Sequence, residues 1–240
     1  MTKEILPSIT TLKYGESNWR DLIDEVDNLE ITRIALFLTG LDREDRSECY
    51  ERLFNLVIKR GLTIPFVHAR HDMPADEYEM LMENFGTESF NLHPESQIKI
   101  EFPLHDELRA HIYIENCRDL VSDDLKGFAG VCLDLSHLED SRMFWSEDDF
   151  LDIIKILNHN PIGCNHISAI SETPKLDTYF NSNYCSRHTL NSLDELNYLK
   201  DYPKDYFGKY IAIELTNKIS RQLEVIEYIK DLINFDEIAR

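Results

Sequence analysis

The sequence predicts a single (β/α)8 barrel of the TIM-barrel class over residues 1–240, with short loops and a reduced fourth helix. Three observations predict it. Short β-rich runs alternate with longer helical patterns, which is the rhythm of βα units around a parallel sheet. Eight such runs follow one another with no Pro/Gly/Ser-rich linker between them. An open doubly wound sheet usually carries a Gly-rich phosphate turn after an early strand. Here the first two strands lead instead into Lys13-Tyr14-Gly15-Glu16 and Thr39-Gly40-Leu41.

The first strand is placed at residues 4–11, interrupted by Pro7, with a helical pattern at about 18–26. The second, 32–38, has Ile-Ala-Leu-Phe-Leu at its centre, and a helix over 43–60 ends at Gly61, the expected capping residue. Strand three is 63–68, and Pro74 suits the first turn of the next helix. Strand four is 89–93, and 94–108 is the weakest helical unit. Strand five is 111–115, with a short helix after it, and strand six is 130–134. A capping box, Ser146 with Asp149, opens the helix before strand seven at 162–166. A loop of about 24 residues follows, and a second capping box, Ser192 with Glu195, opens the next helix. Strand eight is 210–214, and Leu223, Ile226, Ile229 and Ile233 line one face of the last helix.

Composition narrows the functional classes. Hydrophobic residues make up 42% and charged residues 29%, as in globular chains. With 25 Lys and Arg against 45 Asp and Glu, the formal charge is −20. That acidity counts against nucleic-acid or anionic-membrane partners, which need a basic face. Cys49, Cys117, Cys132, Cys164 and Cys185 are odd in number and form no CxxC pair. This argues against a disulfide framework and a Cys-rich zinc site. The N-terminal residues carry no signal-peptide pattern, and no window of the sequence holds 18 consecutive apolar residues, so no membrane span is expected. A cytoplasmic protein acting on a small molecule is the expectation. Oligomeric state leaves no readable pattern.

Barrel chemistry sits at the C-terminal ends of the strands. Strands three to eight end in His68, His93, Glu115, Asp134, His166 and Glu214, each after an apolar run. His137 follows Asp134 by three residues, and His188 lies in the loop after strand seven. Any one of these is most simply a cap or a satisfied structural residue. Six consecutive strand ends are a different matter, because burying so many unpaired ionisable groups is costly. A metal ion removes that cost. Mixed His/Asp/Glu ligands without thiolate suit Mn²⁺ or Zn²⁺ first, then Fe²⁺ or Mg²⁺. Side chains two apart share a strand face, so Tyr113, Cys132, Cys164 and Ala212 lie under Glu115, Asp134, His166 and Glu214. Cys132 and Cys164 are therefore read as core fillers.

In this strand order the chain, over roughly residues 63–230, resembles the xylose isomerase-like superfamily, which includes sugar isomerases, epimerases and the endonuclease IV family. The resemblance implies one divalent ion held by Glu115, Asp134, His166 and Glu214. Asp134-Leu-Ser-His137 matches the family's Asp-x-x-His, whose His contacts substrate or a second metal. Phe-Asn-Leu-His-Pro-Glu at 90–95 looks like the valine-histidine-proline-glycine ending of strand four, with Glu95 in place of Gly. By the same resemblance, His68, His93, His137 and His188 are candidates for a second ion. Endonuclease IV relatives carry an Asp-x-His pair in the strand-seven loop, where this chain has Ser186-Arg187-His188. Glu172 and Asp177 are the nearest carboxylates in that loop to compensate.

Three functions follow. The first is an isomerase or epimerase of a small sugar or hydroxy-ketone. Glu115 and Glu214 would move protons, His137 and His188 would bind substrate hydroxyls, and Arg187 would bind a carboxylate or phosphate. The second is a phosphoester hydrolase with two or three metals, as in endonuclease IV. The third is an inactive barrel or binding module keeping part of the site. Tyr179, Phe180 and Tyr184 either close over substrate as a lid or pin the long loop to the rim.

Overall fold

Pro7 divides the first strand, and the division closes the barrel. The computed structural model describes residues 2–12, 17–178 and 182–233. Lys13-Tyr14-Gly15-Glu16 and the aromatic pair Tyr179 and Phe180 lie outside the described residues. In place of one strand over 4–11 there are two, β1 (Glu4–Leu6) and β2 (Ser8–Thr10). Proline has no N–H to give a ladder, but the Pro7 carbonyl accepts from Ala35 N at 2.9 Å.

The remaining elements keep the predicted strand order: α1 (Trp19–Asn28), β3 (Arg33–Phe37), α2 (Arg43–Arg60), β4 (Thr63–His68), α3 (Ala75–Phe85), β5 (Ser89–Leu92), α4 (Asp106–Arg109), β6 (Ile112–Glu115), β7 (Gly130–Asp134), α5 (Leu135–Phe144), α6 (Glu147–His159) and β8 (Ile162–Ile167). A 3-10 turn at Ser122–Leu125 is the short helix after β6, and two helices, α5 and α6, stand between β7 and β8 where one was expected. After β9 (Ala169–Asp177) and β10 (Ser182–Arg187) come β11 (Tyr210–Ile213) and α7 (Ile219–Ile233). Among the described residues nine strands form one sheet in the order β1-β11-β8-β7-β6-β5-β4-β3-β2, every pair parallel. The two halves of the first strand thus lie on opposite sheet edges, and the chain between them joins those edges.

Gln222 of α7 completes the closure. Its side chain is fully buried, accepts from Ser8 N at 2.6 Å and donates to Ser8 O at 3.0 Å. It stands in for the strand neighbour that Ser8 lacks on its β11 side. Glu25 of α1 ties the first helix to the last, accepting from Ile219 N at 2.8 Å and from Ser220 N at 3.1 Å.

Two differences from the sequence reading bear on the site. The long segment after β8 is not an irregular loop. It is an antiparallel hairpin of β9 and β10, anchored where Asp140 of α5 accepts from Cys185 N at 2.6 Å and Ser186 N at 3.2 Å. The helix at Ser192 is 3-10 in geometry, Leu193–Asp201; the Ser192 side chain accepts from Asp194 N, and Glu195 pairs with Arg187 in place of closing a capping box. The fourth helix is reduced to the four residues of α4, and Gly61 caps α2 at φ 70°.

Leu6, Ala35, Phe37, Phe66, Cys132, Cys164, Tyr210 and Ala212 fill the barrel, with Tyr113 against them. The larger core lies between the strands and the helices. Tyr113 fits because its neighbour is Gly163: a Cβ there would sit 2.0 Å from the Tyr113 ring.

Candidate metal centre

The strand ends converge on one rim. Asp134 and His166 are register partners on β7 and β8, and Ala212 of β11 is the partner of His166, which sets Glu214 just beyond it. Glu115 ends the neighbouring β6. All four side chains are buried. Around the His166 Nδ1 atom lie Glu115 Oε2 at 3.4 Å, Glu214 Oε2 at 3.7 Å and Asp134 Oδ2 at 3.9 Å.

Local chemistry decides where each donor atom points. Asp134 caps α5: its Oδ1 accepts from Ser136 N at 2.7 Å, Ser136 Oγ at 2.6 Å and His137 N at 2.9 Å. Its Oδ2 is left buried without a hydrogen bond, facing the centre. The Asn116 side chain brackets the Asp134 backbone, accepting from its N at 2.6 Å and donating to its O at 3.0 Å.

Asn91 of β5 fixes the tautomer of His166. Its amide nitrogen donates to Glu115 Oε2 at 3.0 Å, and a carboxylate can only accept. Its oxygen therefore faces His166 Nε2 at 3.2 Å, and that nitrogen carries the proton. The Nδ1 lone pair is then bare, buried and without a hydrogen bond among three carboxylates. His68 Nδ1 donates to Ala69 O at 3.0 Å, and its Nε2 lies 3.2 Å from Glu115 Oε2.

Burial pushes His166 down to about 3, so its imidazole is neutral. Burial likewise pushes His93 down to about 4 and lowers His188. Burial works against the Glu115 carboxylate, but His166, His93, His137 and His68 outweigh it and hold the group well below the usual range. Glu214 is raised well above that range by burial and by the charges of Asp134 and Glu115. Burial opposes the charge on His137, but Asp134, Cys117 and Glu115 draw it well above the usual imidazole value.

These features fit a divalent cation. Orphaned Asp134 Oδ2 and His166 Nδ1 point at a common space, and Asp134, His166 and Glu214 offer donor atoms within 4.8 Å of one another. Three further groups meet the same limit: His68 with Glu115 and His166, His93 with Glu115 and Cys117, and Glu115 with Asp134 and His137. Glu115 belongs to all three.

The other candidates are placed as follows. His137 Nδ1 lies 3.3 Å from Glu115 Oε1, and His188 Nδ1 lies 3.7 Å from Glu214 Oε1. Arg187 lines the cavity above the centre but is paired with Glu195. Glu172 and Asp177 stand on the hairpin and join no ligand group among the described residues. The sequence reading missed Asn91, Asn116 and Cys117. An Asn two residues before His93, on the same strand face, was the available signal for the first.

The cavity measures about 780 Å³ and runs from His93, Cys117 and His137 to the hairpin, where Tyr184 and Lys175 line it. Arg118 also lines it, with its guanidinium 5.3 Å from the Trp145 ring.

No protein-family model matches the chain, and neither does any curated protein. Solved structures do. A probable 3-DHS dehydratase involved in petrobactin synthesis from Bacillus anthracis is 12% identical, with 95% of this chain and 98% of that one covered at a TM-score of 0.46. Endonuclease IV from Thermus thermophilus is 12% identical, covering 94% and 99% at 0.45. A 3-keto-D-glucoside 4-epimerase from E. coli is 10% identical, covering 95% and 99% at 0.45. At these distances the chemistry must come from the chain's own residues.

Proposed function

We propose that the chain is a divalent-metal-dependent isomerase or epimerase of a small hydroxylated carbonyl compound. One observation carries this reading. Glu115 and Glu214 stand at the two ends of a four-strand arc, β6 to β11, both within 4.0 Å of His166 Nδ1. Two carboxylates on opposite sides of one site are suited to move protons on and off carbon.

Asp134, His166 and Glu214, with Glu115 beside them, would hold a divalent ion, which when bound would supply positive charge beside the substrate oxygens. Glu115, favoured as the carboxylate, takes the proton from the carbon next to the carbonyl. Glu214, on the opposite side, handles the proton there. His137 and His188 bind substrate hydroxyls at the cavity floor. Arg118 and Lys175 bring positive charge to the cavity wall of a chain whose net charge is −20, which suits an anionic group on the substrate. Arg187, committed to Glu195, shapes the wall instead.

The test is carbon-proton exchange in D2O, followed by proton NMR on the Mn²⁺- or Zn²⁺-loaded chain with trioses to hexoses and their sugar acids. Exchange at the carbon beside the carbonyl is expected, and Glu115→Gln abolishes it. Absence of exchange with every compound under both metals overturns the proposal. A second reading, phosphoester hydrolysis, is favoured by His68 and His93, whose Nε2 atoms both lie beside Glu115. Cleavage of a generic phosphodiester without carbon-proton exchange would select it.

A further inference from the structure

Cys117 differs from the other thiols near the barrel. Cys49 packs in the outer core, and Cys132 and Cys164 pack inside the barrel. Cys117 is buried but belongs to neither apolar cluster. Its backbone N donates to Glu115 O at 2.9 Å, a tight reversal that brings the side chain back over the Glu115 carboxylate. Its Sγ lies 3.7 Å from Glu115 Oε1. From the other side His93 Nε2 lies 3.8 Å from Glu115 Oε2. The His93 loop is held by His71, whose Nε2 meets the His93 carbonyl at 3.0 Å.

We propose that His93, Glu115 and Cys117 form a second metal position, thiolate-bearing and distinct in character from the oxygen-rich one at Asp134, His166 and Glu214. It shares Glu115 with the centre described above but stands on metal binding alone, whatever reaction that centre performs.

The spacing suits a tetrahedral ion. With bonds of about 2.3 Å to sulfur and about 2.0–2.1 Å to nitrogen and oxygen, neighbouring ligand atoms stand about 3.3–3.5 Å apart. His93, Glu115 and Cys117 offer donor atoms that all lie within 4.8 Å of one another, a spacing that side-chain rotation closes onto one ion. Three protein ligands leave a fourth position, and His93 and Cys117 both line the cavity, so that position faces substrate space. Coordination releases the thiol proton to solvent. A thiolate selects Zn²⁺ and Co²⁺ over Mg²⁺ and Mn²⁺. The two positions therefore differ in softness and share Glu115, whose Oε1 faces Cys117 and whose Oε2 faces both His93 and His166.

Co²⁺ titration of the metal-free full chain tests this by absorption. The wild type is expected to show visible d–d bands together with an intense near-ultraviolet thiolate-to-cobalt charge-transfer band. Cys117→Ser is expected to lose the near-ultraviolet band entirely, keep the visible bands and bind one equivalent fewer. Visible bands without charge transfer in the wild type overturn the thiolate position and leave the first centre standing. No Co²⁺ binding at all overturns both. A charge-transfer band that survives in Cys117→Ser also overturns the proposal. Should that variant not fold, single Ser substitutions of Cys49, Cys132, Cys164 and Cys185 decide. Retention of the band in all four assigns it to Cys117, and its loss in any one overturns the assignment.

Discussion

The Asn91 side chain binds His166 and, by doing so, dictates which of its nitrogens is bare. Its oxygen lies 3.2 Å from Nε2, and the opposite end of the amide donates to Glu115 at 3.0 Å. One uncharged residue thereby orients two of the residues that surround the centre. Outer partners of this kind typically govern metal affinity by 10–100-fold. Asn91→Leu is expected to weaken Zn²⁺ binding by about that factor, measured by competition with a chromogenic chelator, with the fold retained. Unchanged affinity would show that His166 is oriented by its packing on Phe37, 4.8 Å away between ring centres, instead.

Metal should stabilise the chain as well as activate it. A ligand that binds only the folded state adds about 2.7 kcal/mol at a hundredfold excess over Kd. Mn²⁺ or Zn²⁺ is expected to raise the wild-type Tm, and Asp134→Ala or His166→Ala to remove that rise. Loss of the Asp134 cap alone should lower the metal-free Tm, because Oδ1 holds the first turn of α5. A metal-induced rise of wild-type size in His166→Ala would displace the centre from this cluster.

Gln222 should matter more than a polar residue in the last helix usually does. Gln222→Met leaves Ser8 N and Ser8 O buried without their partner. Each orphaned group costs about 1–3 kcal/mol. Denaturant unfolding should show a loss in that range or above it, with activity per folded molecule unchanged. A loss below about 0.5 kcal/mol would mean that water reaches Ser8.

Glu25 gives a pH signature remote from the metal. Burial raises its carboxyl, but the Ser220 hydroxyl and the Ser220 and Ile219 amides outweigh it, so the group sits below its ordinary value. A depressed folded value means stability present above the unfolded carboxylate range and lost as pH falls through the folded value. Glu25→Ala is expected to cost about 0.5–2 kcal/mol near neutral pH, as other helix caps do. That cost should shrink toward zero in acid, read from urea midpoints across the series. A pH-independent difference would assign the effect to packing.

Much of the fold was legible because its signals are local. Alternation of runs such as Ile-Ala-Leu-Phe-Leu with helical patterns needs no knowledge of what each run pairs with. The strand ends were legible for the same reason: an ionisable residue after an apolar run marks the rim, whichever strand lies beside it. His68, His93, Glu115, Asp134, His166 and Glu214 could be picked out one strand at a time.

What the sequence determined, then, was the alternation, the order of the strand ends and the acidic, thiol-poor character of the rim. The tertiary structure decided how those groups are shared. It split the first strand at Pro7 and gave Ser8 to Gln222, 214 residues away. It turned the segment after β8 into a hairpin through Asp140, engaged Arg187 with Glu195, and brought Cys117 back over Glu115. It also set Asn91 between His166 and Glu115, 75 and 24 residues along the chain. The physical reason is the same in each case. Whether a buried polar atom is satisfied or left to meet a cation depends on partners that only chain closure brings within about 3 Å.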